Sequence, residues 1–517
     1  MENARLRDEN EKLRIENAKL ELLNNWYFEQ FRLAQQRRFG ASSEKTILPE
    51  QFGLFNEAED LSNPEVSTGQ VETITYTRTK KKGKRDEFYS GLPTEQIVHE
   101  LPENERICPI CGGLLHACGH EVLRREVEVI PAQIRAVEHV QTVYSCRDCE
   151  QNAETPPMVK SSVPAPVIPG SGIASPSFVA FIIGNKYVLG LPLYRQEQEL
   201  NRLNIHVLRQ TMANWLIFVA SNWLISIYNL LHLEFKQCDI AHGDETTLQV
   251  IVEEGRNASQ KSYMWVYCTG KDAEHQMVLF DYQHTRHGKH PLAFLEGFSG
   301  YLHVDAYAGY RKLEDQGVTL VECWAHVRRK FDEALKILAK EDRKNSVANI
   351  GVGYCNQLFE IERKYNEEDL SDEERTVKRN HEAIPIAKAF FQWAESIQMK
   401  VMAKSKLGQA LSYALNQKPR LMNCFLDGRL DFSNNRCERS IRPFAIGRNN
   451  WMFSFCEKGA ESSAIIYSIV ETALANGLVP FLYLKFLFET LPNIPKERFS
   501  DCLPWNPNVL GFCKTPT

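Results

Sequence analysis

Hydrophobic and polar positions along the 517-residue chain change period several times, and each change marks an element. Residues 2–39 read as one helix, without Pro or Gly until Gly40. Leu6, Leu13, Leu20 and Tyr27 recur every seven residues, and Asn3, Asn10, Asn17 and Asn24 recur at the same period, offset by three. A heptad seam with Asn at one core position predicts a coiled coil over 1–45. Buried Asn pairs with Asn only in register, which favours a parallel homodimer. The period then vanishes over 46–90, a flexible linker that carries the run Lys80-Lys81-Lys82-Gly83-Lys84-Arg85. Lys81 and Lys82 are its candidates for phosphate contact, although such runs are usually just solvated.

Between 91 and 155, alternation over Glu126–Ile134 and Val137–Tyr144 predicts strands. After a Pro-rich spacer the reading turns helical over 165–235: Ser177 to Tyr187, Leu193 to Leu203, and Leu208 through Leu216. The turn Asn204-Ile205-His206 stands before the third helix, which carries Arg209, Thr211 and Asn214. This is a helix-turn-helix-like pattern, and those three residues are candidate DNA contacts. A plain three-helix bundle explains the pattern equally well. Trp215 to Leu231 is apolar enough to test as a membrane span. Ser221, Asn222, Ser226 and Asn229 interrupt it, so a buried core helix is the expectation.

From 236 to 325 the pattern is α/β, with strands expected at Ile240–Val252, Tyr263–Thr269, Met277–Tyr282, Gly300–Val304 and Val318–Glu322. Three strands joined by short turns, then strands separated by helices, suit a ribonuclease-H-like α/β core. Residues 326–425 read as a helical insertion, 426–475 as the second part of the core, and 476–517 as a C-terminal helical tail. The fold class expected is therefore multidomain α+β.

Composition changes this picture little. The chain is 43% hydrophobic and 25% charged, which suits a soluble globular protein of several domains. A formal net charge of −5 gives no global attraction to nucleic acid, so any such contact must come from local basic patches. Fourteen cysteines without a signal peptide fit a reducing cytoplasm. Four of them have diagnostic spacing. Cys108-x-x-Cys111 and Cys146-x-x-Cys149 can close a tetrahedral zinc site of the ribbon type, with Cys118 and His120 as nearby spares. A redox dithiol and four unrelated thiols are the alternatives.

The candidate chemistry lies in three acids. Asp244 sits on the first strand beside Gly243, Asp305 ends the fourth, and Glu438 lies in Asn434-Asn435-Arg436-Cys437-Glu438-Arg439 on a later helix. Convergent carboxylates can hold two Mg2+ or Mn2+ ions that clamp the attacking and leaving oxygens of a phosphodiester displacement. Glu245 is expected to point to the opposite face of its strand. Arg439, Arg442 and Arg448 could reach phosphates near the third acid, or form ordinary surface ion pairs. For His326 a structural role is favoured.

The ordered motifs carry a resemblance. The chain has the helical start ending in Phe39-Gly40-Ala41-Ser42-Ser43-Glu44-Lys45, the paired Cys-x-x-Cys, and Leu191-Pro192-Leu193-Tyr194-Arg195-Gln196-Glu197. It has Asp244-Glu245-Thr246, Asp305-Ala306-Tyr307-Ala308-Gly309-Tyr310, and Cys323-Trp324-Ala325-His326-Val327-Arg328-Arg329-Lys330-Phe331. Asn434-Asn435 with Glu438-Arg439, Gly447-Arg448-Asn449-Asn450-Trp451 and Leu503-Pro504-Trp505-Asn506 complete the series. Nearly end to end, it resembles insertion-sequence-66 family transposases. The resemblance implies a DDE transposase that cuts and joins double-stranded DNA at element ends, with small accessory proteins as further partners and no membrane. A catalytically dead DNA-binding regulator and a nuclease without strand transfer remain alternatives.

Overall fold

The computed structural model describes residues 2–39, 134–145 and 158–514, which fall into two units. Lys81, Lys82, Cys108, Cys111, Cys146 and Cys149 lie outside the described residues. The architecture is mixed α+β, with a helical N-terminal region and a mixed sheet.

Helix α1 (Glu2–Phe39) covers the heptad seam. Leu13, Leu20 and Tyr27 stand 54%, 57% and 59% exposed along it. Near its end, Glu29 Oε1 accepts the backbone N–H of Lys406 at 2.7 Å. In the smaller unit, β1 (Val143–Ser145) pairs antiparallel with β2 (Met158–Lys160). Residues 134–142 are without strand assignment, so the expected strand there is shorter than alternation suggested.

The helical region opens with α2 (Pro176–Ile183). Ser175 Oγ accepts the Phe178 N–H, and Pro176, whose missing N–H costs nothing in the first turn, pre-sets the backbone. Next come α3 (Leu193–Arg202) and α4 (Arg209–Val219). The two helices expected here, one to Leu216 and a buried one over Trp215–Leu231, form a single run, joined by a π turn at Ala220–Leu224 that leads into α5 (Ile225–Phe235). The turn keeps one apolar stripe pointing inward: Met212, Leu216, Val219, Leu224, Ile227, Leu231 and Phe235 are all buried. Arg209–Phe235 has the length and composition of a membrane span, but this stripe belongs to the main hydrophobic core.

The central sheet is built from β3 (Ile240–Val252), β4 (Lys261–Thr269), β5 (Val278–Gln283), β6 (Tyr301–Val304) and β7 (Thr319–Glu322), with α6 (Lys289–Phe294) between β5 and β6. Its order is β5-β4-β3-β6-β7. β3 and β4, and β4 and β5, pair antiparallel; β3, β6 and β7 run parallel. All five strands fall where alternation put them.

After β7 the chain leaves the sheet for a helical insertion: α7 (Trp324–Lys336), α8 (Val347–Glu367), α9 (Ile384–Gln398) and α10 (Lys406–Asn416). It has its own core around Trp324, Phe331, Phe390 and Leu411. Entry and exit are tied together. The Trp324 N–H donates to the Phe432 carbonyl at 2.9 Å, and the Asn434 N–H donates to Cys323 Sγ at 3.2 Å. An insertion closed at its base in this way need not perturb the sheet.

Arg379, 1% exposed, locks the exit segment. It forms an ion pair with Glu362 at 2.6 Å and donates to the carbonyls of Cys424, Asp427 and Leu430. Arg379→Ala strands three carbonyls and leaves Glu362 to Arg375, 3.3 Å away, so it should lower stability by roughly 3–5 kcal/mol. An unchanged urea midpoint would remove this lock from the account.

The chain then returns as α11 (Asn435–Trp451), the short strand β8 (Ser454–Cys456) and α12 (Glu457–Ala475). β8, unseen in the sequence, pairs parallel with the end of β3. α12 closes the open edge of the sheet. Thr472 Oγ1 accepts the Val278 N–H and donates to the Val278 carbonyl, and Ser468 Oγ accepts the Phe280 N–H. Tyr228 of α5 donates to the Phe280 carbonyl. Buried backbone groups on an edge strand need such partners, and side chains supply them here.

Candidate metal and DNA site

Parallel register sets the two aspartates side by side. His242 of β3 pairs with His303 of β6, and their buried rings stack 4.5 Å apart. Side chains two residues on share a face, so Asp244 and Asp305 follow on the side of these histidines. Asp244 Oδ1 accepts the Glu245 N–H, and Asp305 Oδ1 accepts the Tyr307 N–H, at 2.8 and 2.9 Å.

Asn434, just before α11, fixes the third acid. Its Nδ2 donates to the Gly243 carbonyl at 2.9 Å, and its Oδ1 meets His242 Nδ1 at 3.1 Å. Its own carbonyl accepts the Glu438 N–H at 3.1 Å. One buried amide thus docks the start of α11 on β3 beside Asp244, and Glu438, 3% exposed, faces the same centre.

Electrostatics agree. The Asp244 carboxyl is held well above its ordinary range, first by burial, then by Glu245, Glu438 and Asp305. Asp305 is raised by burial, against the pull of Arg286, Lys330 and Arg329. Such a cluster of hard oxygen donors, costly to ionise alone, fits divalent cations of the Mg2+ type.

Glu245 faces away from α11, as expected. Its Oε1 takes Arg286 at 2.5 Å, and its Oε2 accepts the Tyr310 hydroxyl at 2.7 Å. Burial, then Asp305, raise its pKa to about 7. Arg286 also lies 3.7 Å from Asp305, and its guanidinium stacks over the Tyr307 ring. Sequence reasoning missed this arginine and the Asn434 clamp. Position in the turn Thr285-Arg286-His287-Gly288 carries no signal for a partner on β3.

The insertion contributes from above. His326 Nε2 is 3.8 Å from Glu438 Oε1, and Arg329 is 3.9 Å from Glu438 Oε2. Burial lowers the His326 pKa to about 3, helped by Arg329 and Lys330. Burial and Glu438 push the Cys323 thiol up to about 12.

The candidate DNA contacts divide. Arg439 is exposed and Arg442 half-buried on α11. Arg448 turns inward: its Nη1 donates to Thr246 Oγ1 at 3.0 Å and to the Thr247 carbonyl. It braces α11 against β3, a role the sequence did not suggest. On α4, Arg209 stacks over Tyr194, its backbone N–H donates to Glu197, and its side chain is exposed. Asn214 is exposed and accepts from Gln210; Thr211 is half-buried.

Comparison with known proteins bears on this geometry. The profile described as "Transposase IS66 family" matches residues 171–462, more than half of the chain. The chain belongs to the IS66 transposase family. The IS66 zinc-finger binding domain matches 105–150, which includes all four paired cysteines. A profile named "Transposase C of IS166 homeodomain" matches 26–97, and the IS66 C-terminal element matches 468–505. Among relatives of this IS66 member, uncharacterized protein y4hP of Sinorhizobium fredii (strain NBRC 101917 / NGR234) is 27% identical over 443 residues, covering 83% of this chain and 77% of its own. Uncharacterized protein y4jD of the same strain is 28% identical over 488 residues, covering 90% and 91%.

Proposed function

We propose that the protein is a DDE transposase that binds the ends of an insertion sequence, cuts there, and joins the freed 3′ end to target DNA. The observation that carries this reading is the convergence of Asp244, Asp305 and Glu438 on one face of the sheet. The strand order, three antiparallel strands followed by two parallel ones, supports a ribonuclease-H-like core. The three carboxylates would hold two divalent ions, Mg2+ or Mn2+. When bound, such a pair stabilises the attacking and leaving oxygens of a phosphodiester displacement.

The chain's own residues do the rest. Asn434 keeps Glu438 facing the aspartates. Glu245, itself fixed by the Tyr310 hydroxyl, holds Arg286 at the rim of Asp305, 40% exposed, where a guanidinium can take a phosphate oxygen. Arg329 and Lys330 face the acids from the insertion and add positive potential for a DNA strand. Arg209 and Asn214 on α4, with Arg439 on α11, are the exposed DNA contacts of this reading. The site of action is the cytoplasm, on the nucleoid. The test is incubation with Mg2+ and labelled element-end DNA. Joined products support strand transfer, cut products alone indicate a nuclease, and bound but uncut DNA indicates a regulator.

Two further parts of the proposal have their own tests. If Cys108, Cys111, Cys146 and Cys149 hold one structural zinc, purified protein carries about one zinc per chain. Cys111→Ser then loses it and binds DNA more weakly while the core stays folded; zinc retained in that variant sinks the assignment. The exposed seam of α1 is proposed to form a parallel homodimer, with Asn10 and Asn17 paired in register. Removing residues 1–45 should abolish self-association in sedimentation, and an unchanged mass would put dimerisation elsewhere. Small accessory proteins of the same element are further expected partners.

A further inference from the structure

The start of α7 brings a second set of donors up to Glu438. Cys323 Sγ, a His326 ring nitrogen and a Glu438 carboxylate oxygen all lie within 4.8 Å of one another. Cys323 caps the N-terminus of α7, and His326 lies three residues on, so both side chains reach the same side of that turn. The site is interior: Cys323 is 1% exposed and Glu438 3%. The imidazole is aimed at the carboxylate: His326 Nε2 lies 3.8 Å from Glu438 Oε1, close enough for one ion to bridge the two.

We propose that Cys323, His326 and Glu438 form a site for a borderline divalent ion such as Zn2+ or Co2+, and that filling it takes Glu438 away from the aspartates and stops the Mg2+-dependent reaction. The inhibitory half rests on the transposase reading; the site itself does not. The donor set decides the class of ion. One sulfur, one imidazole nitrogen and one carboxylate oxygen, with a fourth position open, suit tetrahedral Zn2+ or Co2+. Mg2+ prefers an octahedron of oxygens. The Asn434 N–H already points at Cys323 Sγ, where it would support a bound thiolate. The incoming ion replaces the thiol proton, which leaves to solvent. Arg329 lies against Oε2 of Glu438, while His326 faces Oε1, so the arginine need not occupy the oxygen the ion uses.

The test uses the full chain given one equivalent of Zn2+ per chain, which the four thiolates of the paired-cysteine unit take ahead of a site with a single thiolate, so the Cys323 site starts empty. Zn2+ holds such sites more tightly than Co2+, so a subsequent Co2+ titration reports on other thiolates. We expect sulfur-to-cobalt charge-transfer absorption in the near ultraviolet. It should be lost in Cys323→Ser and need more than about tenfold more Co2+ in His326→Asn. Serine is a good helix N-cap, so Cys323→Ser should fold, which circular dichroism checks. Over the same Co2+ range, Mg2+-dependent cleavage by the wild type should fall to background. No new absorption in the wild type, or absorption undiminished in Cys323→Ser, overturns the site. Absorption with cleavage untouched overturns the sharing of Glu438. Failure of the transposase reading looks different: no cleavage in Mg2+ alone, with the cobalt absorption intact.

Discussion

Asp244→Asn, Asp305→Asn and Glu438→Gln should each reduce cleavage and joining of element-end DNA by at least about a thousandfold, or about 4 kcal/mol of barrier. Specific DNA binding should survive. Each change removes one anionic donor from a cluster in which Glu438 and Asp305 raise the proton affinity of Asp244, so it relieves repulsion in the metal-free fold. Stability should therefore hold while metal affinity collapses. Glu245→Gln is the control. Its carboxylate is saturated by Arg286 and Tyr310 on the other face of β3. Gln keeps part of that bonding but loosens Arg286 beside Asp305, so a loss of only roughly tenfold is expected. Electrophoretic assays of cleaved and joined DNA, with gel shift for binding, read all four variants. Full activity in any triad variant, or a Glu245→Gln loss as deep as theirs, would mean that the metal site uses other acids.

Asn434→Ala should be the most damaging change that removes no charge. It deletes the two bonds that dock the start of α11 on β3, leaving His242 and the Gly243 carbonyl buried without them. Unmet buried polar groups cost about 1–3 kcal/mol each, so a fall of roughly 2–4 kcal/mol is expected. Cleavage should fall further than stability explains, because Glu438 rides one turn above the clamp. Measured at a temperature where circular dichroism shows a native fold, Mg2+ dependence should shift to higher concentration. A normal urea midpoint together with normal Mg2+ dependence would refute the clamp.

Much of this was legible in the chain because alternation is local. The strands carrying Asp244 and Asp305 lie where Leu248, Val250 and Val252, and then Leu302 and Val304, said they would. Orientation of Glu245 also followed from the period of a strand. What stayed hidden depends on partners far away in sequence. Arg286 gains meaning only from Glu245 on another strand, and Asn434 only from His242. Arg448 looked like a phosphate ligand because an arginine near an acid on a helix reads the same whether it faces solvent or Thr246. β8 is too short for a period, and nothing in the apolar run marks the π turn at Ala220–Leu224.

The insertion closed at its base also sets an order of events during synthesis. In the sequence, 132 residues separate Asp305 from Glu438. At roughly 5–20 residues per second, the ribosome releases the third acid on the order of ten seconds after the second. The aspartate strands emerge first, while the Asn434 clamp and the glutamate wait until the insertion has been made and its exit has come back to its entry. A nascent chain that stops short of Glu438 therefore holds the two aspartates without the third carboxylate, and the cluster assembles only once the whole insertion has been made.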